Sequence, residues 1–455
     1  MKNSISLLTF LILPIGLLFC ACTGEGDAPT LYHTGTEFIL AFLPSHPEGD
    51  TQYLYLVIMS EQPSTVTVEY PLKNPTFTET MEIGQAQMET VAIPTSASTG
   101  WQEQTPANNA VLVTATNDIT VFIWNEKFAL LDQALALPMN VLGQEYIVMS
   151  KAPTQQKGSE YITVATQDNT KISITPNTGA PINAMLNRGE GFLVASDQDL
   201  SGSIVTADKA VFVINGNRCA NVPGGTSYCE HLCEVAVPVK YWKTEILARN
   251  LPRAEEGDGA RKTYYRILAS QNHTNIALNG QSLGSFNRGF ALELTRSREQ
   301  LANHFLADKP IFVVQYMNSI CDEFPEHASC SDQGASVELA YFGDPTMTNL
   351  PTIEQYHTAY SFYRVVGGPQ TGSQWLNIIA LTEDVLNNQV LLDGAPIEPS
   401  SFTPFSTKPE FSHASLVIPD IGLHSTYAPQ GHSATIVHLG WHMAFSSPAG
   451  MAFKE

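Results

Sequence analysis

Sustained helical periodicity is almost missing from this 455-residue chain. Only SREQLANHF, residues 297–305, spaces its apolar residues as a short helix would. Helical bundles and the alternating strand–helix order of α/β folds are therefore excluded. Cations are scarce as well: 23 Lys and Arg stand against 44 Asp and Glu, a formal net charge of −21. A surface of that sign repels nucleic acid and anionic lipid, so neither is expected as a partner. Motifs that cradle phosphate, bind a dinucleotide or pair histidines as HExxH do not occur, and no cofactor is expected. GQSLG, residues 280–284, matches a hydrolase nucleophile motif only formally. Its Ser282 falls between two strand-like runs, without the strand–turn–helix that exposes a nucleophile.

Long apolar runs are lacking except near the start, where Leu7–Phe19 follows Lys2. That run is too short to span a membrane comfortably and reads as an export signal, residues 1–22. LFCAC, residues 18–22, is similar to a bacterial lipobox, which makes Cys22 the expected lipidation site. Residues 23–35 begin TGEGDAP and suit a tether. The expected location is the cell surface or outer membrane, with contact to the membrane through the lipid anchor alone. Cysteine is sparse, seven in all, yet Cys219, Cys229 and Cys233 crowd into NRCANVPGGTSYCEHLC, residues 217–233. On an extended strand Cys229, His231 and Cys233 would share a face, and with Cys219 they make four ligands of the kind zinc takes. An exported thiol pair bracketing a Pro-Gly-Gly turn points instead to a disulfide.

What the chain does have is strands. Runs rich in Val, Ile, Thr and aromatics recur, among them STVTVEY (64–70), AVLVTA (110–115), TVFIW (120–124), YITVAT (161–166) and IFVVQY (311–316), separated by Gly, Pro, Asn and Asp. Similar strings return about every hundred residues: YITVATQDNTKISITP (161–176) matches YRILASQNHTNIALNG (265–280), and TADKAVFVI (206–214) matches LADKPIFVV (306–314). The chain is therefore expected to be all-β, with four tandem sandwich-like units near residues 36–140, 141–238, 239–352 and 353–450. A propeller-like ring of β blades is the alternative. Trp101, Trp375 and Trp441 fall in or beside expected loops and strand ends, where flat rings stack on sugars or anchor a partner. EEGDG (255–259) and DQD (197–199) gather carboxylates but lack an EF-hand spacing, and read as solvated loops.

Laid out in order, GTEFILAF (35–42), ALPMNVLGQEYIV (136–148), VATQDNTKISITP (164–176), CANVPGG (219–225) with CEHL (229–232), FGDPTMTNLPTIEQY (342–356) and SPAGMAF (447–453) resemble the IgGFc-binding protein N-terminal domain family. That family occurs in animal mucus proteins and bacterial surface proteins. The resemblance covers nearly the whole chain from residue 36 to 455. It implies a non-enzymatic adhesive protein whose partner is a glycoprotein, mucin-like material or polysaccharide. It also implies the Cys219–Cys229 disulfide, and the parallel spacing of Cys321 and Cys330 extends that pairing to them. Cys233 stands where the family has an ordinary strand residue. A β-repeat hydrolase and an envelope scaffold are the competing functions.

Overall fold

The computed structural model describes residues 31–45, 52–127, 130–154, 158–253, 262–323, 343–364, 372–440 and 443–454. The protein is all-β, and four large sheets carry it. Each sheet is organised around one long strand: Val111–Lys127, Ile204–Ala220, Ala302–Met317 and Gly422–Gly440. AVLVTA and TVFIW, which read as separate strands, are the two halves of the first of these. The polar Thr116–Asp118 between them marks a bend where the strand changes partners, and no chain reversal occurs there.

The change of partners makes the sandwich. In the first sheet the front half of the long strand pairs with Gly35–Leu40 and Ser64–Tyr70, and the back half with Gln52–Ser60 and Leu130–Leu135. Two layers thus share one bent strand and curl over a common core. The other three sheets repeat the plan, down to a register shift at Gly35/Glu37, Gly143/Glu145, Lys243/Glu245 and His357/Ala359. Alternation drives the burial: along Ser64–Tyr70 every second residue is buried, and Val66 and Val68 are fully enclosed. The hairpins turn where short polar side chains accept a left-handed backbone, at Asn169 (φ 55°) and His273 (φ 56°). Lys209 caps the carbonyls of Asp168 and Asn169, and Lys309 caps those of Asn272 and His273 in the same way.

The helix suggested by SREQLANHF is not formed. Ser297 and Gln300 make a capping box around a single 3-10 turn, Arg298–Gln300. The long strand starts at Ala302 because Phe305 and Ala307 must reach the core of the third unit.

Around a shared axis the four units close into a ring. The last strand of each unit, Leu130–Leu135, Glu230–Val235, Thr346–Asn349 and Met443–Pro448, packs against its counterparts and is buried along its whole length. Closure is sealed by pairing of Leu31–Tyr32 with Ala452–Phe453. A core cluster joins the first and fourth units, with Trp124 edge-on to Phe445 at 5.3 Å. The units are sandwich-like, and their assembly is radial.

Candidate functional site

A disulfide joins Cys219 to Cys229, with 5.1 Å between Cα atoms. The loop it closes carries a cis Val222–Pro223 bond and docks on the third unit, where Ser319 N donates to Val222 O (2.6 Å) and Val222 N donates to Ser319 Oγ (3.1 Å). The zinc alternative fails because two of its sulfurs are bonded to each other. Its remaining members face different duties. His231 lies on Glu230–Val235 with Nε2 3.0 Å from Asn125 Nδ2 of the first unit, and burial lowers its imidazole to about 4. Cys233 is free and buried, its thiol pushed up by burial beside Asp132 and Glu234. Among the described residues no group of three His, Cys, Asp or Glu is arranged to hold a metal ion. Cys321 is disulfide-bonded. Cys330, Cys22, Trp441 and EEGDG lie outside the described residues.

Two tryptophans singled out for surface recognition are interior. Trp101 is 7% exposed, donates Nε1 to Phe42 O (3.0 Å) and Ala97 O (2.9 Å), and lies against Gly191 of the second unit. Trp375 is 3% exposed and packs with Leu251 and Met317 of the third unit. Each is covered by a neighbouring unit, so a side chain that points out of its own unit lies in a seam once the units close into a ring. Ser282 sits exposed on Gln281–Phe286, its Oγ receiving only Gly284 N (3.3 Å). Asp199 of DQD pairs with Arg266 of the third unit (2.6 Å).

The ring axis holds acids that sequence reading did not pick out. The central strands form no ladder with one another, so carboxylates of one unit satisfy backbone N–H groups of the next. Glu230 Oε1 accepts from Leu131 N (2.7 Å), Asp132 Oδ2 from Cys233 N (2.8 Å), and Glu234 from Asn349 N (3.0 Å) and Nδ2 (3.1 Å). Burial pushes the carboxyls of Asp132, Glu230 and Glu234 well above their ordinary values. Asp344 rises to about 7 from the same cause, with Arg253 opposing it. These groups are enclosed and line none of the three clefts below. Their work is to knit strands, and no substrate path reaches them through those clefts.

Three clefts of similar size differ in chemistry. One of about 560 Å³ near the ring closure is lined by Glu37 and Asp118, and a groove of about 570 Å³ on the second unit by Lys171 and Asp208. The third, also about 560 Å³, lies between the third and fourth units. The third unit contributes Asn279, Gln281, Arg296, Glu299 and Gln300, and the fourth Thr403, Ser406 and His413, with Leu278, Leu283 and Leu301 between them. Behind it, His413 and Ser415 share a strand face with Asn377 on the neighbouring strand, turned toward Arg249 and Asn250 of the third unit. Four buried atoms there have no hydrogen-bond partner: Arg249 Nε, His413 Nδ1, Asn377 Oδ1 and Ser415 Oγ. Burial lowers Arg249 to about 10 and His413 to about 4, Arg249 adding to the latter.

A profile of the family described as IgGFc binding protein matches residues 132–437, more than half of the chain. The chain belongs to that family. The human IgGFc-binding protein is 27% identical over 237 residues, which are 49% of this chain and 4% of the human one. The chain thus spans a small fraction of that relative's length. Solved structures give weak likenesses: an anti-sigma factor domain-containing protein (7% identity, 61% of this chain and 78% of that one, TM-score 0.13) and PNGF-II (9%, 88% and 99%, TM-score 0.10). Scores so low carry no bearing on the fold.

The IgGFc binding protein match begins at the axial Asp132 and includes the disulfide loop and the whole third–fourth cleft. A repeated seam contact runs through it. At three of the four register shifts the glutamate that ends the shift is held by a cation of the following unit: Glu37 by Arg188 (2.8 Å), Glu145 by Arg288, and Glu245 by Lys408 (3.0 Å). Arg249 and Arg296 stand outside this scheme. Sequence reading missed the cleft because its walls come from segments more than a hundred residues apart.

Proposed function

We propose that this member of the IgGFc binding protein family is a non-enzymatic binding protein, exported, lipid-anchored through Cys22 and displayed at the cell surface, where it adheres to a glycoprotein or mucin-like partner. The family match over residues 132–437 supports this reading most directly. The human relative's name records a binding activity toward IgG Fc, and the chain's strong acidity argues against a nucleic-acid partner. A ring that displays hairpins and seam clefts around a knitted axis suits recognition better than turnover.

The test is retention of purified chain on immobilised mucin, IgG Fc and a panel of polysaccharides, run beside assays for glycosidase and esterase activity. Saturable retention without turnover is the expected result. Hydrolysis of a polysaccharide or ester, with no retention on any surface, overturns the reading. Mass spectrometry of the membrane-extracted chain checks the lipid on Cys22. Protease shaving of intact cells checks display, since a chain that resists it is not an external adhesin.

A further inference from the structure

We propose that the cleft between the third and fourth units is the subsite for an acidic sugar of that partner, a carboxylate-bearing saccharide whose anion rests on Arg296 above Arg249. The inference rests on the binding reading above and adds the ligand class and the place.

Charge comes first. The chain has a net charge of −21 and few cations, and this region brings two arginines without a described carboxylate partner to one cleft. Arg296 lines the cleft and donates Nε to Asn303 Oδ1 (2.7 Å). Arg249 donates only Nη1 to Asn250 O (3.3 Å) and buries Nε with no acceptor. Neither forms an ion pair among the described residues, whereas Arg188, Arg288, Arg218 and Arg266 all do. A carboxylate bound in the cleft meets the half-buried Arg296 in the bidentate geometry the fork prefers, and Arg249, which stands behind the lining, adds positive charge to that wall.

The remaining lining distinguishes a sugar from a bare anion. Asn279, Gln281, Gln300 and Ser406 offer both donors and acceptors, as vicinal hydroxyls require. Leu278 and Leu301 give apolar surface for the C–H faces of a pyranose. Glu299 also lines the cleft, and its negative charge disfavours a dianion such as a phosphate monoester. At about 560 Å³ the space lies within the range of ~300–1,000 Å³ typical of small-ligand sites.

The test is calorimetric titration of the purified chain with sialyllactose, lactose, sulfated lactose and inorganic sulfate, alongside mucin retention. Sialyllactose is expected to bind at least about tenfold more tightly than lactose, and Arg296→Gln to remove most of that difference. Arg188→Gln, at the first seam, is expected to change nothing. Ser406→Trp fills the cleft from the fourth unit and blocks binding without touching an arginine, so the idea stays testable should Arg296→Gln fold poorly. Equal affinity for lactose and sialyllactose overturns the proposal, as does unchanged binding by Arg296→Gln and Ser406→Trp. Tighter binding of sulfated lactose or sulfate overturns the assignment to a carboxylate. Mucin retention with no sialyllactose binding up to about 10 mM overturns this site and leaves the binding function standing. Loss of both overturns the function as well.

Discussion

Replacing Gly202 by alanine probes whether the second and third units meet backbone to backbone. Gly202 has φ +90°, and a Cβ built there falls 2.0 Å from the carbonyl oxygen of Gly289, whose own φ is +75°. Gly179 separates the two effects, because its φ is +105° with nothing within 4 Å of a Cβ. Gly179→Ala therefore meets only the left-handed backbone, ~1–2 kcal/mol, partly offset by a stiffer unfolded chain. Gly202→Ala meets the same term and must also open the seam by more than ~1 Å to reach ordinary van der Waals distance. That seam carries the Arg266–Asp199 (2.6 Å) and Lys151–Glu293 (2.6 Å) pairs and the bond from Arg266 Nη1 to Ser150 O (2.5 Å), so it does not yield cheaply. Overpacking of this kind costs about 1–3 kcal/mol, which places Gly202→Ala below Gly179→Ala by that amount. Urea unfolding of both variants, followed by far-UV circular dichroism, measures the difference. A gap under about 0.5 kcal/mol, the size of an ordinary surface change, would refute the close approach of the two units.

Removing the Cys219–Cys229 bridge with paired serines is expected to lower stability by ~3 kcal/mol on the chain-entropy model for a loop of this length. Equal urea midpoints for the parent and the double variant would show that docking on Ser319 alone holds the loop. His432 is buried, with burial and then the charge of His357 lowering its imidazole to about 3. Its folded value lies below its unfolded one, so its contribution is complete above about pH 6.5 and is lost as pH falls toward 3. His432→Gln, which keeps a donor for Thr426, is expected to gain on the parent by up to ~1.4 kcal/mol per pH unit across that window in urea titrations. A pH-independent difference counts against a neutral buried imidazole. Trp101→Ala should lose ~3–5 kcal/mol of stability while its folded fraction keeps mucin retention; loss of retention at full stability would restore Trp101 as a contact residue.

The fold was legible wherever local chemistry repeats. Alternation in Ser64–Tyr70 marks a half-buried strand, and the matched QDNT and QNHT turns place left-handed residues in equivalent hairpins. What the sequence hides is whatever depends on two units meeting. Glu230–Val235 carries Glu230, His231 and Glu234, a pattern suited to a solvated edge, yet the entire strand is buried because neighbouring units cover both faces. The same closure buries Trp101 and Trp375. His231 meets Asn125 of another unit, a contact that no local pattern announces. The bend in each long strand was also invisible, since a short polar interval reads the same whether the chain turns or changes layer.

Ring closure bears directly on where a ligand can sit. Three successive seams use one device, a glutamate beside the register shift answered by a cation from the next unit. At the fourth seam Ala359 occupies the glutamate's place, and closure relies instead on the terminal strand pair and the Trp124 cluster. Each cation in that series is consumed by the architecture. The third–fourth seam alone keeps two further arginines free of any described carboxylate, beside a cleft of ligand size, with Lys408 and His304 already engaging Glu245 next to it. Exposed pairs of this sort contribute little stability, so the needs of the assembly do not account for two further half-buried guanidinium groups. Buried polar atoms without a partner occur elsewhere too, Arg266 Nε among them, so what sets the third–fourth seam apart for binding is that Arg249 and Arg296 meet there beside a cleft of ligand size.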